Sequence, residues 1–354
     1  MKFRHNLISL IGIVLLIFCV SCSNTGFAEK LPDQLPFLFL QNGKNTELLW
    51  HKASLDLNDG RIIETDRPVL VQNQLASEFK LTWDGAHTFF SYSPQNRVQL
   101  LPLDEKDSHL LLQAPDSSPY YVFNASKPDQ QVLVYLPTQA SQRDEAIVEI
   151  FGKKAQKLTL RMPSIDFPGL RILRPLAIAS TIEGWSFYFQ TIESKAEKIS
   201  LGIIAAAYDY SETKWSMVSR IVPFNEASLT SQMCYYKNKL YLSSMEGEIL
   251  TIHPKNGKML KHELLSKEIK AFKEQILNSQ EDIQNPGISS YAGYLIVHLH
   301  ANDESIYVLS DGNKVKAILK TLQGKVVLLS NSKLLPIELS DAVPLPTHWI
   351  FPES

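Results

Sequence analysis

Short apolar runs separated by turn residues recur along most of the chain. The clearest stretch covers residues 184–222, where β-branched and aromatic residues fill three runs and a polar turn at 211–213 separates the last two. Runs of this length, bounded by turn signals every 8–12 residues or so, are typical of antiparallel strands. The pattern predicts three strands here, at residues 185–190, 201–210 and 214–222.

Two later stretches repeat this format with four runs each. The first has runs at 232–236, 239–243, 248–253 and 258–264, and the second has runs at 289–291, 294–300, 305–309 and 314–319. A unit of about 40 residues with four strands is typical of one blade of a β-propeller. The pattern therefore predicts an all-β fold, a single β-propeller of antiparallel four-stranded blades.

One blade carries a family resemblance. Residues 239–258 read KLYLSSMEGEILTIHPKNGK, a strand, a turn at Gly247, a second strand and a turn at Asn256-Gly257. Asn-Gly accommodates the positive φ angles of a tight hairpin. This succession resembles the repeat of quinoprotein-like propellers, which implies about seven blades of ~45 residues, within a range of six to eight.

Segments before residue 184 fit this pattern of short strands and turns less regularly. Residues 146–151 fit either a strand or a helical stripe, and a large antiparallel β-sandwich or meander is the alternative architecture. Glycine is also scarce, at 15 residues, and many turns use Asn, Asp, Ser or Pro instead. Since a regular propeller places glycine in nearly every blade turn, we predict a diverged and irregular one.

One segment has helical spacing. Leu265, Ile269, Phe272 and Ile276 stand at positions i, i+4, i+7 and i+11, which places them on one face of a helix. Ser266 is a candidate N-cap. We predict a helical insertion near residues 265–278, between two blades.

The N-terminus has the form of an export signal. Lys2 and Arg4 precede an apolar run at 7–20, which is shorter than the roughly 20 residues of a membrane-spanning helix. Ser21 and Cys22 follow, and this junction resembles the lipobox of bacterial lipoproteins. The resemblance implies cleavage before Cys22 and acylation of that cysteine.

These features predict three regions. Residues 1–21 form a lipoprotein signal peptide, 22–36 a polar tether and 37–354 the β-propeller domain. Several acyl chains on Cys22 would give a stable membrane anchor. Serine after this cysteine favours sorting to the outer membrane under the family's rules, with the inner membrane as the alternative. Cys234 would then be the single free thiol of the mature chain.

Composition narrows the partners. The chain has 354 residues, of which 44% are hydrophobic and 20% charged, and its formal net charge is -2. This balance is globular, and it lacks the basic stripe of a nucleic-acid-binding protein. We expect a membrane and other envelope proteins as partners, and no nucleic acid.

Motifs for catalysis and cofactor binding are absent from the sequence. It contains neither a Gly-x-Ser-x-Gly elbow nor a P-loop, so we assign no catalytic residue and no cofactor. His298 and His300 project from one face of a strand, and Asp303 follows, which makes them weak candidates for a metal site. We favour a solvated strand face instead, with Val297 and Leu299 facing the core.

Aromatic residues raise the possibility of sugar binding. We expect most of them to fill blade cores, because large rings in strands are usually buried. The residues concerned are Trp83, Trp185, Trp215, Tyr235 and Tyr236.

The predicted localisation in the cell envelope, the repeated pattern of four strands and the absence of catalytic motifs from the sequence favour one function. We expect a lipid-anchored envelope protein that acts as a non-catalytic protein-interaction scaffold. In architecture it is similar to the lipoprotein propeller of the outer-membrane β-barrel assembly machinery, which implies envelope proteins as partners. The alternatives are a periplasmic or surface propeller that binds carbohydrate or a small ligand, and a propeller enzyme.

Overall fold

Antiparallel strands joined by short connections make up almost all of the fold. The computed structural model divides the chain into two units, Met1–Pro32 and Asp33–Ser354, and the sheets lie in the second. The structure describes residues 31–42, 47–73, 79–83, 87–92, 97–102, 110–113, 120–124, 131–136, 145–151, 156–161, 170–180, 184–195, 198–209, 214–224, 233–243, 248–253, 258–276, 286–301, 304–322, 325–337 and 349–351.

The described strands form six sheets. Sheet 1 contains β1 (Gln34–Asn42), β2 (Glu47–Asp56) and β3 (Ile62–Asn73). Sheet 2 contains β4 (Phe79–Trp83), β5 (His87–Tyr92), β6 (Arg97–Pro102) and β7 (Leu110–Gln113). Sheet 3 contains β8 (Tyr120–Asn124), β9 (Gln131–Tyr135), β10 (Glu145–Phe151) and β11 (Gln156–Arg161). Sheet 4 contains β12 (Leu170–Ser180), β13 (Gly184–Lys195), β14 (Lys198–Asp209) and β15 (Lys214–Phe224).

The last two sheets are interrupted by a helix. Sheet 5 contains β16 (Met233–Tyr236), β17 (Lys239–Ser243), β18 (Ile249–Ile252) and β19 (Met259–Lys261), and α1 (Glu263–Ile276) follows it. Sheet 6 contains β20 (Gly287–Tyr291), β21 (Tyr294–Ala301), β22 (Glu304–Ser310), β23 (Val315–Leu322), β24 (Lys325–Ser330) and β25 (Lys333–Pro336).

The sheets follow one another in a propeller-like arrangement. Within each sheet, strands adjacent in sequence are adjacent in space, and the described pairs are antiparallel. The first strands of sheets 3 to 6 contact each other in succession, β8 with β12, β12 with β16 and β16 with β20. The all-β, antiparallel prediction is confirmed. The described residues form six sheets, and the count of about seven blades stays a prediction.

Apolar side chains fill the spaces between consecutive sheets. In sheet 4, Trp185, Phe187 and Phe189 pack with the core of sheet 3, whereas Tyr188 packs with that of sheet 5. Both faces of a blade are therefore buried, which explains the nearly continuous apolar runs in these strands.

The two ends of the domain meet in one seam. Leu38 of β1 pairs with Ile350 through two backbone hydrogen bonds of 2.9 Å. The neighbouring rings of Phe37 and Trp349 stack with their centroids 4.5 Å apart. The backbone oxygen of Trp349 accepts a 3.2 Å hydrogen bond from the Tyr307 hydroxyl in sheet 6. C-terminal residues thus join the first sheet to the last.

The predicted helix is present, but its start differs from the prediction. Leu265, Ile269 and Phe272 are fully buried on one face of α1, as the spacing indicated. Ser266 is not the N-cap, because the helix begins at Glu263 and the ring of His262 accepts a hydrogen bond of 3.4 Å from Leu265 N–H. The Ser266 hydroxyl instead accepts a hydrogen bond of 2.9 Å from the backbone N–H of Ile249 in sheet 5.

Non-glycine residues occupy left-handed positions in three tight hairpins. A two-residue turn of this kind needs positive φ at both positions, for which glycine is the least strained residue. The described turns use the pairs Lys237-Asn238, Ala292-Gly293 and Asn331-Ser332, with φ from 45° to 80°. The shortage of glycine therefore leaves local strain in these turns.

This strain leads to a first prediction. Replacing Ala292 by glycine should raise the free energy of unfolding by about 0.5–1 kcal/mol, since relief of the left-handed strain exceeds the entropy cost of glycine. The control is Ala271→Gly within α1, which should lower it by about 1 kcal/mol. Urea titration measures both variants. Destabilisation by Ala292→Gly would show that the turn is not strained.

Candidate functional site

Two of the residues singled out from the sequence lie outside the described part of the chain. They are Cys22, the predicted acylation site, and Asp303, the third metal candidate. The acylation of Cys22 and the metal hypothesis both stay predictions. The side chains of Trp83 and Trp215 also fall outside the described residues.

The two histidines lie in the closing seam. His298 and His300 stand on β21 with their ring centroids 5.1 Å apart. Both rings neighbour Tyr307 of β22, at centroid distances of 5.9 and 5.3 Å. Gly287 pairs with His298 across β20, and the His298 imidazole occupies the space that a side chain at residue 287 would need.

The prediction of a solvated strand face for these histidines is wrong. Each is largely covered, because Tyr307 on the same face packs edge-on against Phe351 and bonds to Trp349. The opposite face is the expected one, since Val297 and Leu299 are fully buried there. Both faces of this blade pack against neighbours, so both faces of β21 are largely covered.

Burial sets the protonation of His298. Desolvation, together with the electrostatic effect of the neighbouring His300, lowers the pKa of His298 to about 3. His298 is therefore neutral at physiological pH. A neutral imidazole can ligate a metal, but no cluster of three or more His, Cys, Asp or Glu side chains forms among the residues that the structure describes.

Two buried hydroxyls continue the polar row beside the histidines. His300 pairs with Ser305, and Ser305 pairs with Thr321, across three neighbouring strands. The side chains of Ser305 and Thr321 are fully buried, and neither hydroxyl has a hydrogen-bond partner in the described part of the chain. The row is a polar seam between the first and last sheets, with no carboxylate among its described members.

Carboxylates form surface ion pairs instead. Glu248 lies 3.1 Å from both Lys261 and Lys270, and Asp311 lies 2.9 Å from Lys316. Hydrogen bonds from the two lysines lower the pKa of Glu248. Burial opposes ionisation of Asp311, yet Lys316 and two backbone N–H groups hold its pKa at about 2. Within the described residues, the carboxyl groups whose pKa shifts are all more acidic than usual, whereas a general acid needs a raised pKa.

The described aromatic candidates belong to the core. Trp185 and Tyr236 are buried, as expected. Tyr235 is partly covered and stacks on Tyr188 at a centroid distance of 6.0 Å. Trp185 and Tyr236 are therefore closed to a sugar ring.

Exposed apolar side chains mark a first surface beside the helix. Leu260 in the middle of β19 and Leu264 in the first turn of α1 are 56% and 48% exposed. Lys261 lies between them in sequence, and its ammonium lies 3.1 Å from Glu248 and 3.8 Å from Glu263. We call these five residues the helix-edge surface, because they combine exposed leucines with charges of both signs where β19 meets α1.

A second apolar surface lies on the last two strands. One row crosses all six strands of sheet 6: Ile288, Val297, Val308, Ile318, Leu329 and Leu334. Its first four members are buried, but Leu329 and Leu334 are 38% and 67% exposed. On the same face lie Val327 and Pro336, and we call these last four apolar residues the outer hairpin surface.

The other face of this hairpin is covered. Leu328 is fully buried there, and a Cβ at Gly60, in the turn between β2 and β3, would lie 3.6 Å from both Leu335 and Ile337. The hairpin is therefore apolar on both faces but packed on only one. The sequence did signal this, because a continuous apolar run at 326–329 is typical of a strand buried on both sides. Sequence reasoning missed both surfaces.

Comparison with known proteins gives similarity of fold only. No protein family and no curated protein matches the sequence. Among solved structures, BamB from Moraxella catarrhalis is 10% identical, with 88% of this chain and 81% of that one covered and a TM-score of 0.33. A putative 6-phosphogluconolactonase from Bacteroides uniformis is also 10% identical, covering 90% of this chain and 100% of the other, with a TM-score of 0.46. A second from Bacteroides fragilis is 12% identical, with coverages of 90% and 98% and a TM-score of 0.42.

These similarities do not assign an activity. The neighbours differ in the functions that their names state, and a propeller-like fold hosts many unrelated functions.

Among the described residues, no helix is long and apolar enough to cross a membrane.

Proposed function

We propose that this chain is a lipid-anchored protein of the cell envelope, acylated at Cys22, that acts as a non-catalytic protein-interaction scaffold. The serine after Cys22 favours sorting to the outer membrane. The folded domain is a diverged propeller of six to eight blades. The observation that carries the scaffold role is the helix-edge surface. Exposed leucines near paired charges of both signs suit a protein interface, in which apolar and polar residues both contribute.

The two leucines supply the attractive part of this surface. Leu260 and Leu264 each expose about half of their side chain, and burying apolar area gains roughly 25 cal/mol per Å². The surrounding ion pairs are already formed, with Glu248 between Lys261 and Lys270. A partner can therefore cover the leucines without leaving these charges unpaired, which would otherwise be costly.

Chemistry within the described residues gives less support to an enzyme. A hydrolytic site needs a carboxyl group or imidazole tuned for proton transfer and open to substrate. Here the shifted carboxyl groups sit in surface ion pairs, and His298 lies in a seam between two sheets. We therefore propose no catalytic residue.

Site-specific photocrosslinking in intact cells tests the scaffold role. A photoreactive residue at position 264 should crosslink to a discrete envelope protein, and the yield should fall at least tenfold when Leu260 is replaced by aspartate, because a buried unpaired charge costs several kcal/mol. The control places the crosslinker at Ile63 in β3, which is 55% exposed. Absence of a discrete product at 264, or equal products at both positions, would refute the proposal.

A further inference from the structure

The outer hairpin surface differs in charge from the helix-edge surface. Across the hairpin, Lys325 pairs with Leu322, and Lys320 pairs with Val327, which pairs in turn with Pro336. Strand alternation places both lysines on the face that carries the exposed Leu329 and Leu334. Within the described part of the chain, no ion pair joins either lysine to a carboxylate.

This charge belongs to a longer segment of one sign. Residues 312–337 contain five lysines and no aspartate or glutamate, although the whole chain has a net charge of -2. Exposed leucines beside lysines suit a surface that is both apolar and anionic, as the headgroup region of an anionic bilayer is. The helix-edge surface, with its mixed charges, lacks this property.

The hairpin of β24 and β25 lies close to the residue at which the sheet domain begins. The carbonyl of Asp33, where the domain begins, accepts a 2.8 Å hydrogen bond from Leu57 N–H. Gly60, three residues further along the same turn, lies beside Leu335 of β25. Ten residues lie between Cys22 and Asp33, and the eleven Cα-to-Cα steps span at most about 40 Å and on average roughly 18 Å. Acylation of Cys22 would therefore hold this corner of the domain close to the membrane.

Backbone geometry argues against a strand as the occupant. Ser330 and Lys333 pair across the two-residue turn, so their backbone groups point between β24 and β25. The backbone groups of Leu334 and Pro336 then point to the free edge, where proline offers no N–H. A single donor cannot support strand addition, so contact is expected through the face rather than the edge.

We infer that the outer hairpin surface lies against the bilayer that carries the anchor, with Leu329 and Leu334 at the level of the headgroups and Lys320 and Lys325 facing anionic lipid phosphates. This inference rests on the proposed lipid anchor but not on the scaffold role. The contact fixes the orientation of the domain and leaves the helix-edge surface available to a protein partner.

The test uses the full acylated protein in vesicles of phosphatidylcholine and phosphatidylglycerol. An environment-sensitive fluorophore is attached at Leu334→Cys or, as a matched control, at Leu260→Cys, and is quenched with spin-labelled lipid. Cys234 is buried, and acylation occupies the sulfur of Cys22, so labelling is selective. Quenching should be several-fold stronger at 334 than at 260. Combining Lys320→Glu with Lys325→Glu should weaken the contact roughly thirtyfold and reduce quenching to the level at 260.

Each outcome bears on one claim. If acyl labelling of Cys22 succeeds but position 334 is quenched no more than 260, the membrane contact is refuted and the anchor stands. If Cys22 carries no acyl chain, the anchor is refuted, and the same fluorophores are compared on chain with Cys19→Ser and Cys22→Ser added to vesicles, where unequal quenching supports the contact and equal quenching refutes it. Protection of residue 334 in cells without quenching in vesicles identifies a protein occupant and also refutes the inference.

Discussion

Replacing Trp349 by alanine is expected to lower the free energy of unfolding by about 3–5 kcal/mol, as for other buried aromatic residues. The Trp349 side chain is only 3% exposed and stacks on Phe37 of β1. Its backbone oxygen also receives the hydrogen bond from the Tyr307 hydroxyl in sheet 6. A cavity here therefore loosens the seam between the first and last sheets, and urea titration measures the loss.

A matched variant separates closure from ordinary core packing. Trp185 is equally buried but lies within sheet 4, away from the seam, so Trp185→Ala should cost a similar free energy. Hydrogen exchange then distinguishes the two variants. Trp349→Ala should accelerate exchange selectively in β1 and β22, whereas Trp185→Ala should not. Uniform acceleration across all sheets in Trp349→Ala would contradict a closing role for this residue.

Acid is expected to destabilise the protein through His298. Burial, with the electrostatic effect of His300, lowers its pKa from 6.5 to about 3 in the folded state, so the unfolded chain binds one more proton between these values. The free energy of unfolding therefore falls as the pH falls from about 6.5 towards 3, and the loss reaches at most about 3 kcal/mol at pH 4. Above pH 6.5 this contribution is fully present.

Substitution isolates this contribution. Urea titration at neutral pH and at about pH 4 gives the loss in the free energy of unfolding caused by acid. In His298→Gln this loss should be about 3 kcal/mol smaller than in the parent protein. His253→Gln, at an exposed histidine, is the control for the chemical change from imidazole to amide. If His298→Gln loses as much stability at low pH as the parent protein does, another group causes the loss.

Sequence patterns predicted the strands wherever turn chemistry was local. With turn signals such as Asn238 and Gly293, the predicted strands from β16 to β23 agree with the structure to within a few residues. They missed β12, where Pro175 lies between two register shifts that break the alternation. They also missed β24 and β25, although the apolar run at 326–329 was visible, because its exposed face has no partner within the described fold.

The seam between the first and last sheets could not be predicted from the sequence, for a different reason. Alternation along β21 showed correctly that His298 and His300 share a face, but it carries no information about what covers that face. The covering residues come from the C-terminus, and Tyr307 and Trp349 are 42 positions apart. Local periodicity cannot register contacts at that separation. The exposed leucines were missed similarly, since exposure depends on which strands lack a neighbour.

The pairing of Leu38 with Ile350 also sets the order of the folding steps. Roughly 300 residues separate the two partners, so this contact has a high loop-closure cost and must follow the local hairpins. Under the proposed export from the N-terminus, β1 would cross the membrane first and its pairing with Ile350 would form only after the last residues arrive. A tag fused directly after Ser354 would therefore sit beside the final folding step, and a tag on an exposed hairpin turn would not.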